Sequence, residues 1–438
     1  MTTTLTDRYG SAITTTSSAA RDAYVDAVDR LLSTQPGAEA AFARALELDP
    51  SLGVAAIGRA RALALHGRVA ESRDAAAHAR GLVAGVSRRE RQHVETIALS
   101  VEGRLADALA ATRTHLGEFP RDAMVLAPVT GVFGLIAFSG DLARDQHLLS
   151  LLDSMATHYG EDWWFLGLHA FASIEAGHVT LGRERVERAL ALNPRSGNAA
   201  HVFAHACYEE GGDDEGAKFL QGWLPSYPRE GTLNCHLWWH AALFAIARGD
   251  VDAAWAIYGE HIAPGASWGP PMNALTDGAS LLWRCELAGA PRRDEAWRAV
   301  RDYARTAFPR PGIPFADAHA ALACAVAGDG EALAALARAL RDASGVGRHP
   351  AAPVVSALAD AFAAFARGDY EATITRLVPV LDEHVRIGGS RAQRDLVELT
   401  LLTAYLRAGR RADAEAIVAR RPARRQRVPV AGFAPRAA

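Results

Sequence analysis

Lysine is all but missing from this 438-residue chain: Lys218 is the single one among 47 basic residues. Schiff-base chemistry would therefore have to run through that one amine. The surplus of arginine and alanine matches a GC-rich bacterial coding bias and carries no mechanism. Cysteine is scarce too. Cys207, Cys235, Cys285 and Cys324 form no CxxC pair, which excludes a disulfide framework and reads as free thiols in a reducing compartment. No run of about 18 apolar residues is free of charge, so no membrane span is expected. The opening MTTTLTDRYGSAITTTSS lacks the basic and apolar regions of a signal peptide, and the expected location is the cytoplasm. A net charge of −3 gives no general attraction to nucleic acid or to an anionic membrane. Arginine is not interleaved with aromatics as in a nucleic-acid groove, and GxGxxG, GxxxxGKS and GxSxG are absent. No segment alternates with period two, so strands are not expected.

What the chain has in abundance is repetition. Glycine followed by a small or polar residue recurs at Gly37, Gly67, Gly103, Gly140, Gly177, Gly212, Gly249, Gly289, Gly328, Gly368 and Gly409, in steps of 30 to 41 residues. Before each mark lies an alanine-rich apolar segment such as AAIGRARALALHG (55–67) or LWWHAALFAIARG (237–249). After several comes an amphipathic segment ending in proline, as in AEAAFARALELDP (38–50) and ERVERALALNP (184–194). Helix, glycine turn, helix and proline stop is the pattern, with glycine as left-handed cap. A period near 34 with an A-L-x-L-x-P ending is the tetratricopeptide signature. The expected fold is therefore all-α: about ten tetratricopeptide-like helix pairs in a right-handed superhelical solenoid, each pair sharing its apolar face with its neighbours. Residues 17–419 form this single domain. Residues 1–16 are expected to be a flexible segment, and 420–438 a basic, proline-broken tail extending into solvent.

Polar residues interrupt the apolar first helices. HVFAH places His201 and His205 four apart on one face, and HLWWH does the same for His236 and His240. Asp277 follows in TDGAS, and Asp317 with His319 in FADAHA. His201, His236, Asp277 and Asp317 stand 11, 13, 12 and 11 residues before their glycine marks, which puts them in one lane of the superhelix. Each histidine alone is explained by packing and one hydrogen bond. Together the group reads as a pocket, since each polar group buried without a partner costs about 1–3 kcal/mol.

Three chemistries remain open for that pocket. Histidine–aspartate pairs suit general acid–base work. Cys235 with a neighbouring histidine is a candidate nucleophile, or else a small buried hydrophobe. Two i,i+4 histidine pairs with an aspartate suit zinc, although neither pair is HExxH and no metal or other cofactor is assigned. Trp239 reads as a pocket wall. In IGGSRAQRD (387–395), Ser390, Gln393, Arg394 and Asp395 stand where a helix start holds an anion, or where Ser390 and Gln393 form a capping box.

These residues carry a resemblance. The strings SRRERQHV (87–94), CHLWWHAALF (235–244), YGEHI (258–262), DGASLLWR (277–284), ADAHAAL (316–322) and GGSRAQRD (388–395) are similar to those of the tetratricopeptide repeat protein 38 family. The resemblance runs over nearly the whole chain. It implies a joint site containing His201, His205, Cys235, His236, Trp239, His240, Asp277, Asp317, His319, Gln393 and Asp395, and it implies no particular reaction. Two departures stand out: Tyr208 occupies the glutamate position of HxxxHxxE, with Glu209 one residue later, and 126–140 lacks a histidine–aspartate dipeptide. The expected function is a small-molecule enzyme or binder, hydrolase-like, with its ligand inside the superhelix. The alternative is a scaffold holding a peptide or partner helix in the concave groove. Neither nucleic acid nor membrane is expected as a partner.

Overall fold

The computed structural model describes residues 4–345 and 350–433. Among these lie twenty-two α-helices, and the only β feature is an isolated bridge between Thr6 and Ala12. Ten hairpins, from Ser18–Leu32 with Ala38–Leu48 to Arg391–Arg407 with Arg411–Ala419, stack as the expected all-α superhelical array. Ten of the eleven marked glycines take positive φ; at the remaining mark Gly211, one residue earlier, takes it in place of Gly212. Gly249 shows why: with φ +83 it reverses the chain between Asn234–Ala247 and Val251–Ile257, a conformation that a Cβ disfavours.

One unit departs from the pattern. The short helix Ala123–Leu126 stops just ahead of Pro128, and no helix resumes until Arg144–Tyr159. Pro128, Gly131 and Gly134, with β-branched Val129, Thr130 and Val132 between them, remove both the donor and the propensity that a helix needs. This is the stretch that lacks the histidine–aspartate dipeptide.

Apolar first helices in the middle of the array are buried on nearly all sides. Asn234–Ala247 buries eleven of its fourteen residues. Second helices bury one stripe: Asp294–Ala307 buries only Trp297, Val300 and Ala304, spaced by three and four. Burying a side chain the size of Val300 stabilises by about 1.5–3 kcal/mol. Trp283, fully buried, also donates its indole N–H to Thr400 Oγ1 at 2.8 Å, which joins Pro271–Leu287 to a helix more than a hundred residues on.

That long-range contact is one of many, because the superhelix closes on itself. Gly197 N–H donates to the Ser33 carbonyl at 3.0 Å, and the Tyr227 hydroxyl donates to the Thr34 carbonyl. Gly389 N–H donates to the Val132 carbonyl at 3.1 Å, and Arg391 N–H to Glu175 Oε2 at 2.8 Å. The Gly388–Gly389 corner is tight: a Cβ on Gly389 would lie 2.4 Å from the Phe315 ring. Through that corner the Arg391–Arg407 helix packs against both Gly197–Glu210 and Pro271–Leu287. The chain's own helix thus fills space that an open groove would leave to a partner.

Both terminal segments differ from expectation within the described residues. Arg8 pairs with Asp29 and Asp162, Tyr9 is buried, and Thr14 N–H donates to Glu90 Oε1 at 2.8 Å. At the other end Arg425, Val428 and Val430 are buried and Ala431 N–H donates to the Leu287 carbonyl at 2.8 Å. Charge and proline content read as solvation, whereas buried acidic partners far away in sequence reverse that outcome. Residues 1–3 and 434–438 of these two segments lie outside the described residues.

Candidate functional site

The two histidine pairs meet. Gly197–Glu210 carries His201 and His205, and Asn234–Ala247 carries His236 and His240; the i,i+4 spacing puts each pair on one face, and both helices are buried on nearly every side. His201 Nε2 and His205 Nε2 are 2.9 Å apart. Ring centroids are 4.9 Å apart for His201 and His236, 4.6 Å for His205 and His240, and 4.9 Å for His236 and His240. All four side chains are buried, at most 7% exposed. One nitrogen from each lies within 4.8 Å of one from every other, close enough to share a single metal ion.

Carboxylates flank this core. His236 Nδ1 lies 2.9 and 3.0 Å from the two oxygens of buried Asp277 on the next first helix, as the lane predicts. Glu175 Oε1 stands 3.7 Å from His205 Nδ1. Burial, with Asp145 and Glu209 nearby, pushes the Glu175 carboxyl up to about 8, while burial and His236 hold His205 well below its ordinary value. At neutral pH the pair is uncharged and is not a salt bridge. Burial and neighbouring imidazoles likewise hold His201 and His240 well down, so both rings are neutral. Neither ring nitrogen of His240 has a hydrogen-bond partner, nor has His205 Nδ1. Each such group costs on the order of 1–3 kcal/mol.

The remaining predicted residues divide. Cys235 is buried with its thiol 3.8 Å from Asp277 Oδ2; burial and that carboxylate push the thiol well above its ordinary value, the reverse of what a nucleophile needs. Trp239 is fully buried and stacks on His236 at 5.1 Å, so it is a wall of the histidine core rather than of an open pocket. His319 is bonded through Nδ1 to the Phe315 carbonyl at 2.8 Å and feels the field of Asp277; burial lowers it to about 4. Asp317 turns to the loop before its own helix and accepts Gly312 N–H at 3.0 Å.

The 388–395 motif resolves into a cap and a latch. Ser390 and Gln393 form a reciprocal capping box, with both residues buried. Arg394 bonds the Gly389 carbonyl and faces Asp145 at 3.4 Å. Asp395 accepts from the Tyr208 hydroxyl at 2.6 Å, from Arg421 at 2.9 Å, and from Arg425. Arg425 also reaches Glu209 Oε1 at 2.8 Å. Tyr208 and Glu209, the departure from HxxxHxxE, thus both serve to anchor the C-terminal segment. Burial alone would raise Asp395; Arg421, Arg425 and Arg284 outweigh it and hold the carboxyl well below the usual range.

Beside this latch lies a cavity of about 140 Å³, bordered by Arg284, Arg421, Arg424, Arg425 and Arg427 against Asp213 and Asp395. Arg424 and Arg427 are exposed at its rim, with no carboxylate at ion-pair distance among the described residues. Arg284 links the two halves of the site: its guanidinium lies 5.6 Å above the Trp239 ring, which also meets His236 and His240, and it donates to the Ala392 carbonyl at 2.5 Å. Motif reading missed this wall. Arg284 was within DGASLLWR, but Arg421 to Arg427 carry no helical or metal spacing and stand out only as a basic run.

A second buried cluster lies near the other end. Asp122 accepts from Arg89 at 2.8 Å and faces His93 Nδ1 at 2.8 Å and His115 Nε2 at 3.0 Å. Arg89 and His93 belong to SRRERQHV, which gives that string a structural role.

No family model matches the chain. Among solved structures, it is similar to a tetratricopeptide repeat protein from Parabacteroides merdae ATCC 43184, at 14% identity over 57% of this chain and 90% of that one, with a TM-score of 0.38. It is also similar to a human IFIT1 dimer with m7Gppp-AAAA (15% identity, 84% and 89% of the two chains, TM-score 0.43). The APC/C hetero-tetramer Cut9–Hcn1 matches at 13% identity over 87% and 76%, with a TM-score of 0.39. At such scores these likenesses say nothing of ligand or partner for this chain.

Proposed function

We propose that this helical-repeat protein binds a small anionic ligand, a carboxylate or phosphate ester, in the arginine-bordered cavity. One observation carries the reading: five guanidiniums surround about 140 Å³ of space with two bordering carboxylates, and among the described residues Arg284, Arg424 and Arg427 have no carboxylate at ion-pair distance. Guanidinium forks match carboxylate and phosphate oxygens in pairs. The volume admits a ligand smaller than a peptide side of a typical interface, and the Arg391–Arg407 helix already lies where a partner helix would enter. That runs against the scaffold alternative. Hydrolysis draws less support than binding: none of the four imidazoles borders the cavity, and the Cys235 thiol is held protonated. Membership of the tetratricopeptide repeat protein 38 family rests on the motif strings, and we place the chain there on the same footing.

The test is calorimetric titration of the full chain with inorganic phosphate, small dicarboxylates and sugar phosphates. A binding anion should lose about tenfold in affinity for each of Arg424→Gln and Arg427→Gln, since a hydrogen bond to a charged group contributes about 1.5–3 kcal/mol. Both residues are exposed, so the fold is unaffected. Equal affinity in wild type and the double variant, or saturable binding of a peptide and of no small anion, would sink the proposal.

A further inference from the structure

We infer that His201, His205, His236 and His240 together hold one divalent transition-metal ion, zinc first. This reading does not rest on the proposed anion site. Four imidazole nitrogens from two i,i+4 pairs converge from adjacent helices, and one candidate ligand atom of each lies within 4.8 Å of all the others. A tetrahedral zinc with bonds near 2.0–2.1 Å needs its ligands about 3.4 Å apart. The 2.9 Å approach of His201 Nε2 to His205 Nε2 and the separations of up to 4.8 Å bracket that value.

The contact of His236 has the polarity that ligation requires, whereas the proton between His201 Nε2 and His205 Nε2 must move to Nδ1 or leave when the ion binds. His236 donates Nδ1–H to Asp277, which fixes the tautomer and turns the lone pair of Nε2 toward the other rings. Asn273 supports that carboxylate, with its amide 3.4 Å from Asp277 Oδ2. His205 presents Nε2 inward, with Nδ1 facing Glu175 on the outer side. His240 is the residue hardest to explain otherwise: it is fully buried in the middle of the group, and neither of its nitrogens is engaged. An ion at the centre would engage one. Neutral imidazoles are the ligating form, and four of them prefer zinc, copper or nickel to magnesium or calcium. With all four positions taken by protein the site is closed, which is the structural rather than the catalytic kind. Its effect would be to clamp Gly197–Glu210 to Asn234–Ala247, directly behind Trp239 and Arg284.

The experiment uses the full chain, freed of any affinity tag, stripped with chelator and dialysed. Titration with zinc chloride should show one site per chain with thermal unfolding shifted upward, and cobalt(II) chloride should develop the intense visible bands of a tetrahedral nitrogen site. His201→Ala/His240→Ala should abolish the cobalt spectrum. Asp277→Asn should keep a spectrum while weakening affinity by about 10- to 100-fold, as loss of an outer-shell partner does. Stripped wild type that stays folded and gives neither zinc uptake nor a tetrahedral cobalt spectrum overturns the inference. So does uptake that persists unchanged in the double histidine variant.

Discussion

Removing the Asp395 carboxylate tests how the superhelix is shut. Asp395 is 7% exposed and meets three donors: Tyr208, Arg421 and Arg425. Asp395→Ala would leave the Arg421 and Arg425 guanidiniums, 10% and 8% exposed, without their shared carboxylate. Breaking a buried pair from one side costs about 3–5 kcal/mol. Arg425→Ala should cost less, about 2–3 kcal/mol, because Asp395 keeps Arg421 and Tyr208, and Glu209 keeps Arg391 at 3.5 Å. Tyr208→Phe deletes one hydrogen bond to a charge and should cost about 1.5 kcal/mol. The order Asp395→Ala, Arg425→Ala, Tyr208→Phe is thus set by how many donors or acceptors each change strands. In the double variant Asp395→Ala/Arg425→Ala the costs should fall short of their sum by about 1–3 kcal/mol, since each single change orphans the other group. A repeat array opens in parts, so local hydrogen exchange is the right measure. Peptides spanning 423–431, including the Ala431 amide on Leu287, should exchange about 100-fold faster or more in Asp395→Ala at pH 7. Unchanged exchange there, or additive single and double effects, would refute the latch.

Other consequences are as direct. The folded Asp395 carboxyl titrates below its ordinary value near 3.8, so its stabilisation is full above about pH 4 and fades as pH falls further; the stability gap between wild type and Asp395→Asn, measured by urea unfolding, should therefore narrow on acidification below pH 4 and stay flat from 5 to 7. Asp122→Ala strands Arg89 and two imidazoles and should cost about 3–5 kcal/mol, read as a lower urea midpoint of the N-terminal transition. Gly389→Ala should destabilise by more than Gly328→Ala, because both have positive φ but only the first would drive a Cβ to 2.4 Å from an aromatic ring; equal thermal shifts would contradict that packing. All four cysteines are buried and their thiols are pushed up by burial, so native protein should resist iodoacetamide at pH 8 and take up four labels once unfolded.

The hairpins were legible because each is a local device. A glycine, an apolar run before it and an amphipathic run after it settle a pair within about 34 residues, and the turns fall at the glycine marks or one residue away. The meeting of His201, His205, His236, His240 and Asp277 was legible for a related reason: a constant offset from the turn becomes a constant position in a stack. The lane drifts after Asp277. Pro271–Leu287 is 17 residues long, and on the following first helix His319 faces Asp277 while Asp317 serves its own loop. Contacts made by closure were not legible at all. Arg425 meets Glu209 across 216 positions and Arg144 bonds the Gly389 carbonyl across 245, and no local pattern encodes such a pairing. A basic, proline-broken run is therefore ambiguous until its acidic partners are located.

Closure also decides which functions the repeat can support. An open solenoid offers its concave side to a peptide, and its stability is close to a sum over neighbouring units. Here Arg391–Arg407 spends that side on intramolecular contacts, and the polar residues that would line a groove become a buried core. On the two proposals above, the buried core of neutral imidazoles would take a cation at its centre and the arginine run folded over its edge an anion at the rim. Arg284 lies between the two, over Trp239 on one side and bordering the cavity on the other. An ion in the histidine core would fix the His236 ring on which Trp239 stacks, and with it the wall that carries Arg284. The affinity for a small anion should therefore be higher in metal-loaded than in metal-stripped protein, and by linkage the anion should tighten the metal by the same factor. Titrating phosphate into both forms measures that factor, and a ratio of one would separate the two sites completely.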